Sequence, residues 1–161
     1  TTLGVLPPAQ LPRFNKGGTV RPAPGIAVTA VHAEHSSVYV WRNPATDKDE
    51  SHYGGEPVGY IITLENGFRI YHMGDTDVFG DLNLIAERYK PDLLLLPIGG
   101  NFTMDPAGAA LATRMVKPRF AIPMHYGANP LGTGTPEQYM NALGDSGVKV
   151  FPLKPGEKLE F

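Results

Sequence analysis

Apolar and polar positions alternate along the first half of the chain with the period of two that is typical of β-strands. Residues 26–31 form one such run. Residues 58–64 and 68–73 form two more, and they are joined by Asn66-Gly67, a pair that strongly favours a β-hairpin. Residues 38–41 predict a further short strand. This half of the chain is therefore predicted to form antiparallel β-structure.

Two stretches of the same half predict loops. Residues 1–25 are rich in proline and glycine and predict a connector that enters the fold. Residues 42–56 are polar and predict a long solvated loop. Because long loops are uncommon in compact domains and this one begins just after His35, we expect a mobile flap that borders the site; a merely solvated loop is the alternative.

The second half of the chain changes to the helical period of 3.6 residues. A first helix is predicted to end before Pro91, with five apolar residues on one face: Phe79, Leu82, Ile85, Ala86 and Tyr89. Two further helices are predicted to begin at Pro106 and Pro136, with Asp105 and Thr135 as their N-caps.

Apolar runs separate these helices and predict buried strands. They cover residues 92–98, 120–124 and 148–153, and residues 158–161 are predicted to pair at an edge. Strands first, followed by helices and strands in alternation, predict an α/β fold with a mixed sheet and outer helices. In such folds the loops that follow the strands collect ligands at one edge of the sheet.

Composition excludes several classes of protein. The 161 residues are enough for one domain, and 42% hydrophobic with 19% charged residues favours a packed core over disorder. The basic residues are scattered and the net charge is −2, which argues against nucleic-acid binding. No apolar stretch reaches the length of a transmembrane helix, so no membrane association is expected. The chain has no cysteine, so thiolate sites and disulfides are excluded.

The candidate chemistry lies where predicted strands end. Asp75 follows a strand-like run and Gly74, and His35 and His125 follow two other such runs. Histidine and aspartate together form a ligand set for a borderline or hard divalent metal ion. The alternative for Asp75 is an N-cap of the following helix. His32 is three residues from His35, a spacing that turns the two to opposite faces of a continuous strand.

Five motifs carry a family resemblance, and they follow one another in this order: His35-Ser36-Ser37, Glu56-Pro57-Val58-Gly59-Tyr60, His72-Met73-Gly74-Asp75-Thr76, Pro97 to Met104, and Pro123-Met124-His125-Tyr126-Gly127. Together they resemble the second half of a metallo-β-lactamase-fold hydrolase, of the bacterial branch related to ascorbate-6-phosphate lactonase. The resemblance covers nearly the whole chain. It implies an αββα sandwich with a two-metal site at one edge, in a soluble protein of the bacterial cytoplasm or periplasm.

The resemblance also implies roles for the metal-binding candidates. His35 matches a ligand of the first metal, His125 matches a ligand of the second, and Asp75 matches the carboxylate that bridges both. Two divalent cations are expected; zinc is the default, and manganese and iron also suit the ligand set. The implied reaction is attack of a metal-bound hydroxide on a small ester, lactone or phosphoester.

Four further residues are candidates for supporting roles. Thr76 is predicted to orient Asp75, since metal-binding carboxylates need such partners. His32 is expected in the core or beside the ligands, and Asn101 and Tyr126 are candidates for substrate contact.

The chain departs from the family pattern in one respect. The His-x-His-x-Asp-His motif of the family does not occur in it. Residues 1–161 are therefore predicted to be the C-terminal portion of one metallo-β-lactamase-like domain, inactive without a complementary N-terminal half; homo-oligomerisation is a further open expectation. Two other functions stay open: a phosphodiesterase or RNA-processing enzyme of the same fold, and a non-catalytic subunit or scaffold.

Overall fold

The computed structural model describes residues 13–128 and 130–161, and these form a mixed sheet with three helices and a separate hairpin. The strands are β1 (Thr19–Ala23), β2 (Ile26–His32), β3 (Val38–Asn43), β4 (Lys48–Tyr53), β5 (Val58–Thr63), β6 (Arg69–His72), β7 (Leu93–Pro97), β8 (Phe120–Met124) and β9 (Lys149–Val150). The helices are α1 (Leu82–Tyr89), α2 (Pro106–Val116) and α3 (Pro136–Leu143). Seven strands form the main sheet in the order β1-β2-β5-β6-β7-β8-β9, and β3 pairs with β4.

Two predictions for the first half are wrong. The predicted connector contains β1, which pairs antiparallel with β2 and is tied to it by Thr19 Oγ1 and Thr29 Oγ1 at 2.7 Å; its first 12 residues lie outside the described part. The predicted polar loop 42–56 contains β4, which pairs with β3 over six residue pairs. Both strands of this hairpin are largely exposed, so no apolar alternation marked β4.

Helices α2 and α3 begin where the predicted capping residues place them, whereas α1 begins at Leu82, after the predicted face residue Phe79. Asp105 Oδ1 accepts a hydrogen bond of 2.7 Å from Gly108 N at the start of α2. Thr135 and Gln138 form a reciprocal capping box at the start of α3. Such caps satisfy backbone N–H groups that have no partner within the helix.

All three helices pack on one face of the sheet. Ile61, Tyr71, Leu94 and Ala121 form a row across four neighbouring strands, and each is no more than 1% exposed. This row belongs to one core cluster with apolar residues of the helices: Leu82, Ile85, Ala109, Ala110, Ala112, Val116, Tyr139 and Leu143. The neighbouring row on the opposite face, Tyr60, His72, Leu95 and Ile122, is only half-buried.

The end of the chain is less regular than predicted. β9 covers two residues instead of six, because Pro152 has no N–H to continue a ladder. Residues 158–161 form no strand; instead the ring of Phe161 packs 4.8 Å from that of Phe120. Among the helices of the described residues, none is long and apolar enough to cross a membrane.

Candidate metal centre

The topology brings the three predicted metal-binding residues to the same edge of the sheet. β2 and β6 are both antiparallel to β5, so they run in the same direction. β6, β7 and β8 are parallel. His35 follows β2, Asp75 follows β6 and His125 follows β8, so all three leave the sheet at the carboxyl ends of these strands.

Asp75 is presented by a turn that only glycine accommodates. Gly74 has a φ of +70°, and a Cβ there would lie 2.7 Å from the carbonyl oxygen of Val58. The alternative interpretation of Asp75 as a helix N-cap is wrong, because Asp81 is the N-cap of α1. The Asp75 carboxylate is half-exposed at the mouth of the sheet.

His125 faces Asp75, with its Nε2 3.7 Å from Asp75 Oδ2. Zinc bonds to histidine nitrogen and carboxylate oxygen are each about 2.1 Å long, so two tetrahedral ligands of one ion lie about 3.4 Å apart. The observed separation fits two ligands of one cation. His125 also has a φ of +57°, a strained conformation for a residue with a side chain.

His35 occupies a neighbouring cleft. Its Nδ1 lies 2.6 Å from the carbonyl oxygen of Ser36, and it lines a cavity of about 380 Å³ with Glu34, Asp77 and Asn101 among others. Within residues 13–128 and 130–161, no three histidine, aspartate or glutamate side chains lie close enough to hold one metal ion. The structure thus pairs Asp75 with His125 and leaves His35 apart from them.

The hydroxyl of Thr76 bonds to backbone groups of the loops beside Asp75. Its fully buried hydroxyl accepts a hydrogen bond of 2.9 Å from Glu34 N and donates one of 2.8 Å to the carbonyl oxygen of Asp77. The carbonyl oxygen of Thr76 also accepts from Met104 N at 3.1 Å. Thr76 therefore connects the loops after β2, β6 and β7, and its role in orienting the Asp75 carboxylate stays a prediction.

His32 contacts two charged side chains, those of Lys16 and Glu34. Its Nδ1 lies 3.1 Å from Lys16 Nζ, and its Nε2 lies 3.3 Å from Glu34 Oε2. Its ring packs edge-on against Phe79, with 4.9 Å between centroids. These contacts place it beside the loop that carries His35.

The two candidates for substrate contact lie in different cavities. Tyr126 lines a cavity of about 280 Å³ with His125, and its hydroxyl donates to the carbonyl oxygen of Leu153 at 3.4 Å. Burial raises the pKa of Tyr126, and Glu137 and Glu157 raise it further. Asn101 lines the cavity of His35 and has a φ of +60°. Sequence reasoning missed Phe102, which lines both cavities and is 49% exposed; its position after Gly99-Gly100 was the available signal.

Comparison with known proteins decides the family. A profile described as the beta-lactamase superfamily domain matches residues 3–126, more than half of the chain. The chain belongs to the beta-lactamase superfamily. The predicted metallo-β-lactamase α/β fold is thereby confirmed, whereas the ascorbate-6-phosphate lactonase branch stays a prediction.

Curated relatives within this superfamily carry the same descriptive name. A UPF0173 metal-dependent hydrolase of Polaromonas sp. is 73% identical over 160 residues, which cover 99% of this chain and 59% of the relative. One from Roseiflexus sp. is 48% identical over 149 residues, covering 91% of this chain and 58% of the relative. The chain thus spans less than two thirds of the length of these relatives.

Solved structures give the same picture. Igni18, a metallo hydrolase of the archaeon Ignicoccus hospitalis, is 35% identical with a TM-score of 0.76, covering 92% of this chain and 60% of that one. A protein of Parabacteroides distasonis that is named after metal-dependent hydrolases is 29% identical, with a TM-score of 0.60. The match covers 86% of this chain and 55% of that one.

Proposed function

We propose that this chain belongs to a metal-dependent hydrolase that cleaves a small ester, lactone or phosphoester. The observation that carries the proposal is the pair Asp75–His125, 3.7 Å apart at the carboxyl edge of the sheet. The separation suits two ligands of one cation, and loops after parallel strands are where α/β proteins place their ligands. The names of the relatives support the same reaction class.

Different residues of this chain would bind different cations. Asp75 and His125 would hold one divalent cation, and His35 would contribute to a second on the side of its own cavity. Zinc suits histidine with carboxylate, and manganese or iron is the alternative. Bound cations of this kind polarise the scissile group and lower the pKa of water.

The cavities beside these residues support a small substrate. That of His125 measures about 280 Å³ and that of His35 about 380 Å³, near the lower end of the range for small-molecule sites. Phe102 lies between them and offers an apolar contact. Tyr126 lines the cavity of His125, and its raised pKa favours the protonated hydroxyl, whose proton is donated to the carbonyl oxygen of Leu153.

The test replaces each member of the pair without changing its size. Asp75→Asn removes the negative charge, and His125→Gln removes the imidazole. In the protein completed by a segment carrying the His-x-His-x-Asp-His motif, we expect each variant to lose at least one equivalent of bound metal, measured by elemental analysis, and at least 100-fold in turnover of a panel of esters, lactones and phosphoesters. Full metal content and normal turnover in either variant would refute the pair as ligands.

Two control variants carry the same chemical changes elsewhere. Asp145→Asn alters an exposed carboxylate between α3 and β9, at the opposite edge of the sheet. His52→Gln alters an exposed histidine of the β3–β4 hairpin. Both should keep wild-type metal content, and their melting temperatures serve as the reference for folding.

We further propose that the centre needs donors beyond those described. Catalytic zinc sites generally use three protein ligands, whereas the described residues bring only two together. Residues 1–161 alone are therefore expected to bind metal weakly and to be inactive. Co-expression with a segment carrying the His-x-His-x-Asp-His motif should restore both properties. A metal-loaded, active 161-residue chain would contradict this part of the proposal and leave the roles of Asp75 and His125 intact.

A further inference from the structure

The β3–β4 hairpin has no strand partner beyond its own two strands in the described part of the chain. Each of its strands has six residues, and both faces of the hairpin carry apolar or aromatic side chains near its base. Val38 is 64% exposed, Val40 58% and Tyr53 72% on one face, and Tyr39 is 43% exposed on the other. An isolated two-stranded hairpin is marginally stable in water, so a further strand would stabilise this one.

The two free edges of the hairpin differ in chemistry. The β4 edge carries Lys48, Asp49 and Glu50, and charges of this kind discourage pairing with another strand. The β3 edge has no proline and one charged residue, Arg42, and its stretch from Val38 to Trp41 is uncharged. The β3 edge is therefore the one open to pairing.

The backbone of β3 shows which of its residues face that open edge. Gly54 N donates to the carbonyl oxygen of Ser37 at 2.9 Å, so Ser37 pairs with Gly54 through the backbone. Hydrogen bonding alternates along an antiparallel strand, so Tyr39 and Trp41 also bond to β4. The backbone N–H and C=O groups of Val38, Val40 and Arg42 consequently point away from β4, toward the open edge.

We propose that β3 pairs antiparallel with β3 of a second copy of this chain, about a two-fold axis at Val40. In this register the outward groups of Val40 meet those of Val40 in the other copy, and those of Val38 meet those of Arg42. If the register shifted by one residue, the free backbone groups of one copy would face residues of the other copy whose N–H and C=O groups already bond to β4. The two hairpins then form one continuous four-stranded sheet.

The side chains of β3 are complementary to those of a second β3 in that register. We therefore expect the strand that pairs with the open edge to come from a second copy of this chain. Tyr39 lies opposite Trp41 on one face, twice by symmetry, and aromatic cross-strand pairs stabilise sheets. On the other face Val40 lies opposite Val40. Arg42 lies opposite Val38, and its guanidinium is already paired within its own hairpin with Asp47 at 3.0 Å and Asp49 at 3.2 Å. No like charges are opposed.

Charge placed at the axis tests the proposal. Val40→Lys and Val40→Glu each oppose like charges in a self-pair, so each variant alone should have the mass of a monomer by sedimentation where the wild type has that of a dimer. An equimolar mixture of the two variants opposes a cation to an anion, so it should regain the dimer. Leu84→Lys, which alters a 62% exposed leucine on α1, is the control and should stay dimeric.

Trp41 gives a second readout, since it is the only tryptophan of the 161 residues. Dilution of the wild type should shift its emission to longer wavelength, and the single-charge variants should show the shifted spectrum at all concentrations. A monomeric wild type would overturn the proposal. So would single-charge variants that remain dimeric, or a mixture that remains monomeric; these results would mean that another surface or another strand covers β3.

Discussion

At the scale of single residues, the position of His125 depends on the close approach of a glycine. A Cβ built on Gly99 would lie 2.2 Å from the carbonyl oxygen of His125, closer than any real contact. The backbone of His125 is itself in a strained conformation with φ of +57°. Such strain persists only where the surroundings enforce it, and Gly99 allows the two segments to touch.

Gly99→Ala is therefore predicted to move His125. The clash should destabilise the protein by about 1–3 kcal/mol in urea unfolding and weaken metal binding, since the imidazole would leave its place facing Asp75. Gly80→Ala is the matched control, because a Cβ on Gly80 meets nothing within 4 Å. Equal metal affinity in the two variants would show that the close approach has no influence on the centre.

A second prediction concerns the carboxylate of Glu56 at the base of the hairpin. The hydroxyl of Tyr53 donates to Glu56, and Lys16 Nζ lies 3.4 Å from Glu56 Oε2. These contacts hold the pKa of Glu56 below its ordinary value of 4.5, with the Tyr53 hydrogen bond as the larger cause. The same bond raises the pKa of Tyr53.

The sign of the pH effect follows from the lowered pKa. Stabilisation by Glu56 is present above pH 4.5 and is lost as the pH falls through the lower, folded-state pKa. A proton titration of Glu56 by NMR should give a pKa below 4.5, and Tyr53→Phe should raise it toward that value. A pKa unchanged by Tyr53→Phe would assign the effect to Lys16 instead.

At the scale of elements, three loops at the edge of the sheet are connected through one buried residue, Thr76, by its hydroxyl and by its backbone carbonyl. Thr76 bonds to Glu34 in the loop after β2 and to Met104 in the loop after β7. Asp77 N adds a bond of 2.9 Å to the carbonyl oxygen of Glu34. The loops that carry His35 and Asp75 are thereby fixed relative to each other.

Thr76→Val keeps the shape of the side chain and removes the hydroxyl. Glu34 N–H would then be left without its partner, which should cost about 1–3 kcal/mol of stability. Because the same bond fixes the loop before His35, faster amide exchange at Glu34 and His35 should accompany the loss. Thr133→Val, at an exposed threonine, should change neither the unfolding midpoint nor the exchange rates.

The same scale shows what the sequence could predict. The starts of α2 and α3 were predictable because Asp105 and Thr135 act within one helical turn. The strand β4 was not, because its largely exposed residues pair across the hairpin with β3 and show no apolar alternation. The position of Asp75 and His125 at one edge of the sheet was predictable from the strands that precede them. The separate position of His35 was not, because it depends on the chain bend at His35, whose Nδ1 lies 2.6 Å from the carbonyl oxygen of Ser36.

At the scale of the whole molecule, the sheet is covered by helices on one face only within the described residues. The half-buried row on the other face contains Tyr60, Leu95 and Ile122, large side chains that are usually shielded from water. In the sandwich expected for this superfamily a second layer covers that face. His35, Asp75 and His125 likewise follow strands that are far apart in the chain, β2, β6 and β8, so local sequence patterns do not determine how the three are placed relative to one another.

The hydrogen bond between Ser37 and Gly54 has a consequence for how this family of sequences changes length. It brings the two ends of the hairpin together, while β2 and β5 on either side pair directly with each other. The hairpin is thus an insertion between β2 and β5. It can be shortened or extended without altering the seven-stranded sheet, since loop-closure entropy varies slowly with length. Replacing residues 38–53 by a short glycine-containing turn should leave the melting temperature within a few degrees of that of the monomeric Val40→Lys variant, measured by calorimetry. Insertions and deletions among natural homologues are then expected to concentrate in this segment, and the hairpin behaves as an exchangeable module.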